Sequence, residues 1–412
     1  MKRILMIAAA GLVLAACART PEPVEWTVTE TALPAGPGAL APNLYATADG
    51  GVLLSWLEPV DSGGHALRFA RRAADGTWSE PRTIAAGDDW FVNWADFPAL
   101  VELTDGTLVA HWLQKSGAAT YAYDVMVVHS QDGGASWSEP FRPHEDGTQT
   151  EHGFVSLLPL PDGAAQVVWL DGRQTQGGGH SAHHHGASDS SGPMTLRTRR
   201  LGPGGVWGEE ELLDLSVCDC CQTAAVHTAR GVTVAYRGRT GDEIRDIWLT
   251  SQRDGAWTLP RMLADEGWHL TGCPVNGPML ATNGEIVSAA WFTAAGEAPR
   301  VYAAFSGDGG DTFGEPLLVD AGAPLGRVAT VMLDDGTALV SWLAAVADGD
   351  AEIRIRRVGE SADPAFVVAR SAAARGSGFP RLARAGDAVL VAWTEPGSPG
   401  GLRGALIRPS GR

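Results

Sequence analysis

Apolar residues along this chain come in short bursts and not at helical spacing. A turn rich in glycine and polar residues leads into a β-favouring run that ends on an aromatic, and the unit then recurs. The runs are GVLLSWLE, GTLVAHWLQ, GAAQVVWLD, GVTVAYRG, GEIVSAAWFT, GTALVSWLA and DAVLVAWTEP. Their aromatics are Trp56, Trp112, Trp169, Tyr236, Trp291, Trp342 and Trp393. Within each run the apolar residues alternate or are continuous, as strands buried between stacked sheets require. Intervals of about 50 to 67 residues between the aromatics give room for one four-stranded blade per unit. Length alone would allow two or three domains. The repeat instead predicts one all-β domain, a β-propeller of four-stranded blades.

Six units are complete from Asn43 to about Ala369, and a seventh begins near Gly378 with material for three strands. Ahead of the first unit, EWTVTETAL matches the outer-strand sequence TWSEPRTIA. An N-terminal strand in that position completes the last blade and hides two open edges. The expected count is seven blades, with six as the alternative if one unit is an elaboration.

A second pattern lies in the hairpins. SQDGGASW (Ser130 to Trp137) and SGDGGDTF (Ser306 to Phe313) resemble the Asp-box, S-x-D-x-G-x-x-W, of sialidase-like BNR-repeat propellers, and ADGTWSEP and SQRDGAWTLP are degenerate versions. The Asp132 and Asp308 carboxylates can accept turn N–H groups, the glycines allow positive φ, and the aromatic packs beneath. Both aspartates are therefore expected to be structural. The resemblance implies an arginine triad for a substrate carboxylate, a tyrosine nucleophile paired with a glutamate, and an aspartate as acid/base. Arg237, Arg327 and Arg381 are the triad candidates, with Arg173 and Arg239 nearby. Asp96, Asp171 and Glu151 are the carboxylates, and Tyr236 is the conceivable nucleophile, although its register makes it a packed strand aromatic. Two features depart from the family: its R-I-P motif is absent, the first unit reading APNLYA, and its enzymes have six blades. Sialidase-type glycoside hydrolysis stays as the alternative to a non-catalytic binding role.

The N-terminus changes the compartment. Lys2 and Arg3 precede an apolar run from Ile4 to Ala16 that is too short to span a bilayer, which predicts a signal peptide. LAAC resembles a bacterial lipobox. That implies residues 1–17 as a lipoprotein signal with Cys17 lipidated, 18–24 as a tether, and 25–412 as the propeller. Ala18 stands where an aspartate would signal inner-membrane retention, so the resemblance implies the outer membrane, on its periplasmic or surface side. Removing Lys2 and Arg3 takes the formal charge from −17 to −19. Such a balance argues against nucleic acid and anionic lipid surfaces as partners. The expected partners are the membrane through the lipid anchor, and a glycan or envelope protein.

With Cys17 assigned to lipid, Cys218, Cys220, Cys221 and Cys273 remain, in a compartment that favours disulfides. Aligned on the strand aromatics, Cys218 lies eighteen residues before Tyr236 and Cys273 eighteen before Trp291. The two thus open adjacent inner strands, on the face where propeller loops converge and ligand sites gather. A Cys218–Cys273 disulfide is one reading, if the Cα separation permits it. A metal site of Cys218, Cys220, Cys221 and Cys273 is another. His269 and the loop bearing His180, His183, His184 and His185 would support it, and thiolate and imidazole suit copper or zinc. Thiol–disulfide chemistry is the third, weakened because CDCC opens a strand and not a helix. An envelope protein-binding scaffold with structural disulfides completes the alternatives.

Overall fold

The computed structural model of the chain describes residues 24–61, 63–175 and 192–410. The signal-peptide and Cys17 expectations, and the histidines at 180, 183, 184 and 185, lie outside the described residues.

Seven antiparallel sheets follow one another along the chain, at 40–87, 99–130, 152–217, 224–262, 279–320, 324–372 and 381–409. These are blades one to seven. The seventh has three strands of its own and takes its fourth from the N-terminus. Trp26–Thr31 pairs antiparallel with Gly401–Pro409, from Trp26 opposite Pro409 to Thr31 opposite Gly404. Seven blades and the closing strand are as the repeat predicted. Blade two departs from four full strands: its outer position is reduced to one bridge, in which Val127 and Phe141 exchange both backbone hydrogen bonds. Among the described residues no helix is long and apolar enough to cross a membrane.

The repeated aromatic explains why the blades stack. All seven sit on the second strand of their blade and are buried. Each also packs into a cluster with the preceding blade: Trp112 with Leu53 and Leu67, Trp169 with Val101 and Val109, Tyr236 with Val168 and Leu170. Trp291 lies with Ala224 and Ala235, Trp342 with Ala290 and Phe292, Trp393 with Leu339 and Ile353, and Trp56 with Ala392 of blade seven. A ring of this size buries roughly 150–250 Å², worth about 4–6 kcal/mol at about 25 cal/mol per Å².

The Asp-boxes clamp neighbouring blades from the opposite face. Asp132 accepts hydrogen bonds from Ser130 Oγ (2.8 Å), Ser136 N (2.9 Å) and Ser136 Oγ (2.6 Å), and Asp308 repeats the arrangement with Ser306 and Thr312. These bonds, led by the Ser136 and Thr312 hydroxyls, hold both carboxyls well below the usual range. Gly134 presses onto blade one: a Cβ there would stand 2.4 Å from the Phe69 ring, on which Trp137 packs edge-on at 6.1 Å.

At the other face, the inner strands share a distortion. Fifteen residues before the strand aromatic lie Ala41, Phe154, Arg327 and Gly378, and all four have left-handed φ, between +52° and +58°. In blade five the adjacent Val275 takes φ +51°, an uncommon state for a β-branched residue. In blade four this register is Cys221. The CDCC segment therefore replaces a recurrent kink at the mouth of the channel.

Trp291→Ala leaves a cavity between blades four and five and is expected to cost about 3–5 kcal/mol, measured as the shift of a urea unfolding midpoint. A loss under 1 kcal/mol would contradict this packing.

Candidate functional site

One loop ties the inner-strand ends of several blades together. Residues 88–98 lead from blade one into blade two, and their tip meets four other blades. Gln222 Nε2 of the CDCC segment donates to Ala95 O (2.6 Å), and Asp96 Oδ1 accepts from Phe154 N in blade three (2.8 Å). Trp94 stacks on Phe379 at 5.9 Å beside blade seven, while Arg327 of blade six lies 4.8 Å over Trp94. Cys218, Cys220 and Cys221 belong to the same buried cluster as Ala95, Phe154 and Phe379.

The sulfurs converge beneath this loop. Cys218 Sγ is 3.4 Å from Cys221 Sγ and 3.9 Å from Cys220 Sγ, and all three residues are buried. Arg245 Nη1 donates to Cys218 Sγ at 3.2 Å and is itself held by Glu243. Arg239 pairs with Asp219 inside the motif and with Glu243. Burial pushes the Cys218 thiol up, but hydrogen bonds from Cys220 and Cys221 and the Arg245 charge override it and hold Cys218 well below the usual thiol range. Burial and the neighbouring sulfurs push Cys220 and Cys221 well above that range. The site thus favours a single thiolate, on Cys218. Further ionisation needs added positive charge.

The fourth cysteine is differently placed. Cys273 is exposed, and its side chain interacts with Cys220. All four are thiols, and the sulfurs nearest Cys218 are those of Cys221 and Cys220. His269 is exposed outside this group, its backbone bridged to Ile244.

Arg237, Arg327 and Arg173 are committed locally, whereas Arg381 Nε is buried with no hydrogen-bond partner among the described residues. Arg237 donates to the carbonyls of Asn276, Arg245 and Phe292 and lies 4.8 Å over Trp268. Arg327 donates to Ala374 O and Gly378 O, and Arg381 sits 4.0 Å over the Phe97 ring; burial pushes both guanidiniums down to about 10. Arg173 is bound to Asp171 and Glu210. Tyr236 is fully buried and donates to Asp214 at 2.6 Å.

Two groupings escaped sequence reasoning. In the first, the Tyr123 hydroxyl lies 2.7 Å from Glu151 Oε1 and 3.0 Å from Asp96 Oδ2. Phe91 stacks on Tyr123 at 4.0 Å, and Tyr123 is sealed from solvent. Gly153 is required here, since a Cβ would stand 2.0 Å from Asp96 Oδ2. Burial, aided by the Glu151 charge, pushes Asp96 up to about 8. The residue types are those implied by the sialidase resemblance, but no sequence signal tied Tyr123 to them. The second grouping is Asp124, His144, Asp146, His152 and Asp171 between blades two and three. Its signal was present as HEDGTQTEH, two histidines with three acids between them.

No family model matches the chain, and no curated protein does. Solved structures resemble it in fold. A protein of unknown function from Dyadobacter fermentans has 16% identity, a TM-score of 0.50, and an alignment over 94% of this chain and 99% of that one. The polysaccharide lyase Uly1 has 8% identity, a TM-score of 0.54, and 90% of each chain aligned. The NanB sialidase of Streptococcus pneumoniae has 12% identity and a TM-score of 0.45, over 92% of this chain and 70% of that one. At these identities the likeness is one of fold.

A pH test follows from Asp96. An unfolded aspartate ionises near 4, while the folded one holds its proton to about 8. Its contribution is fully present below pH 4 and is lost as pH rises towards 8. Relative to Asp96→Asn, the native chain should lose unfolding free energy across pH 4–8 and change no further above it. A pH-independent difference between the two would remove the assignment.

Proposed function

We propose that this chain is an envelope lipoprotein whose propeller holds one thiophilic d10 metal ion, Cu(I) or Zn(II), on Cys218, Cys220 and Cys221, with Cys273 beside them. The observation that carries this reading is the triangle of buried sulfurs next to Arg245. A thiolate lies about 2.3 Å from zinc, so sulfurs sharing one ion stand roughly 3.8–4.0 Å apart. The separations of 3.9 and 3.4 Å are close to that and far from the roughly 2.05 Å of a disulfide. The charge pattern agrees. Arg245 supports one thiolate, and a bound cation would supply the charge that ionises the second and third. Soft, sulfur-only surroundings suit Cu(I) and also accept Zn(II).

The lipobox and Cys17 support attachment to the outer membrane through lipid. A glycan or envelope protein as further partner rests on the fold alone. Sialidase-type hydrolysis draws support from the Tyr123, Glu151 and Asp96 grouping, but a substrate would have to reach a tyrosine sealed behind Phe91 and the loop at 88–98. Metal binding is the better-supported function.

Protein purified from the periplasm, and reconstituted anaerobically with Cu(I) or with Zn(II) in parallel, is expected to bind one ion per chain. Cys218→Ser should lose it, and competition with a chelator of each metal identifies the preferred ion. Four oxidised cysteines in thiol counting, with no metal bound in either arm, would replace the metal site with a structural or redox one.

A further inference from the structure

A buried metal site needs a way in, and the four cysteines differ in their distance from solvent. Cys218 and Cys221 are 0% and 1% exposed, Cys220 is 8% exposed, and Cys273 is open to solvent. Cys273 belongs to the next connection around the ring, between strand Arg261–Met262 of blade four and strand Met279–Thr282 of blade five. Its side chain meets that of Cys220. Cys220 Sγ lies 3.9 Å from Cys218 Sγ, which has Cys221 Sγ at 3.4 Å on its other side. The sulfurs therefore form an unbroken series from the surface to the buried pair.

Other approaches to the cluster are occupied. Gln222 spans from the loop at 88–98 to blade five, donating through Nε2 to Ala95 O at 2.6 Å and accepting through Oε1 from Gly277 N at 3.0 Å. Arg245 stands 3.2 Å from the Cys218 sulfur, and Arg239 holds the Asp219 side chain at 3.3 Å. A cation arriving past either guanidinium would meet positive charge first. Phe154 and Phe379 pack against the sulfurs in the same apolar cluster. Cys273 is thus the cysteine that a metal complex in solution meets first.

On the sulfur site proposed above, and resting on it, we infer that Cys273 is the entry ligand. It takes the ion from a small complex in solution, passes it to Cys220, and lets go once Cys218 and Cys221 hold it. A bare cation in apolar surroundings is very costly, and a relay of adjacent sulfurs avoids one, because each entering sulfur bonds the ion before the leaving group departs. Every step makes one bond to the metal as it breaks another. The entering thiol gives its proton to water, the leaving thiolate takes one back, and no electron is transferred. The same series run backwards is the way out.

The test is kinetic. The native chain and Cys273→Ser, both reduced and metal-free, are mixed with the bicinchoninate complex of Cu(I) or the pyridylazoresorcinol complex of Zn(II), whose colour is lost on transfer. Excess chelator added to the loaded chains follows removal. Cys273→Ser is expected to take up one ion per chain, with loading and removal both slowed about tenfold or more, as about 1.4 kcal/mol added to the barrier gives. The two slow by the same factor, since a group that acts only on the route shifts both directions equally. Iodoacetamide should alkylate Cys273 ahead of the buried three in the metal-free chain, and that singly alkylated chain should load as slowly as Cys273→Ser. Circular dichroism checks that each form is folded. Loading of Cys273→Ser at the native rate would overturn the route. Faster removal from that variant would make Cys273 a permanent ligand and overturn it too. A native chain that takes up neither ion would remove the sulfur site itself, and the entry role with it.

Discussion

Everything at the channel mouth depends on the ring being closed, and closure rests on one antiparallel pairing between chain ends. Blade seven has three strands of its own, so its outer strand Gly401–Pro409 would present an unpaired edge without Trp26–Thr31 beside it. Trp26 stacks on Phe366 of blade six, which ties the closing strand to the neighbouring blade as well. Each blade leans on the one before it through its strand aromatic, from Trp112 against blade one round to Trp56 against blade seven. A packing chain of this kind has no stable terminus until it meets itself. The loop at 88–98 can bridge blades three, four, six and seven only because the circle fixes their positions.

That closure also accounts for the burial of polar groups at the mouth. Seven inner strands converge there, and in most blades the chain kinks at one register, where Ala41, Phe154, Arg327 and Gly378 have left-handed backbone. Side chains answer backbone carbonyls there: Arg237 takes those of Asn276 and Phe292, and Gln222 takes that of Ala95. Blade four puts a cysteine at this register, with two more close by. The surrounding arginines serve two needs at once, satisfying backbone acceptors and lowering the cost of a buried thiolate.

The fold was legible in the sequence because it is written in repetition. The strand aromatics, the Asp-box hairpins and the EWTVTETAL segment each carry a local pattern whose physical purpose is plain, and the structure uses each as its pattern implied. Placing CDCC at the mouth also followed from register. What sequence could not give was the third dimension of that mouth. Counting from the aromatics made Cys218 and Cys273 equivalent, yet the backbone turns inside the motif bring Cys221 and Cys220 nearest to Cys218 and leave Cys273 exposed beside Cys220. Arg237, Arg327 and Arg381 could be named as triad candidates, but an arginine's task depends on which carbonyls and rings it meets. Asp124 and Tyr123 carry no motif at all, and their meeting with His152 and Glu151 depends on contact between two blades.

The two buried polar clusters draw on different properties of the same architecture. The three sulfurs lie in one connection, between strands Val206–Val217 and Ala224–Thr228, so they are brought together by local backbone and shielded by the loop above. The histidine and aspartate cluster is split across blades two and three, and its geometry exists only when those blades are packed in register. Its stacked imidazoles are answered by carboxylates on both edges, a charge arrangement that ties one blade to the next. Buried sulfur in an apolar cluster with Phe154 and Phe379 excludes water and suits a thiophilic ion. On physical grounds the cysteine cluster is therefore the place where this fold is best prepared to hold a metal.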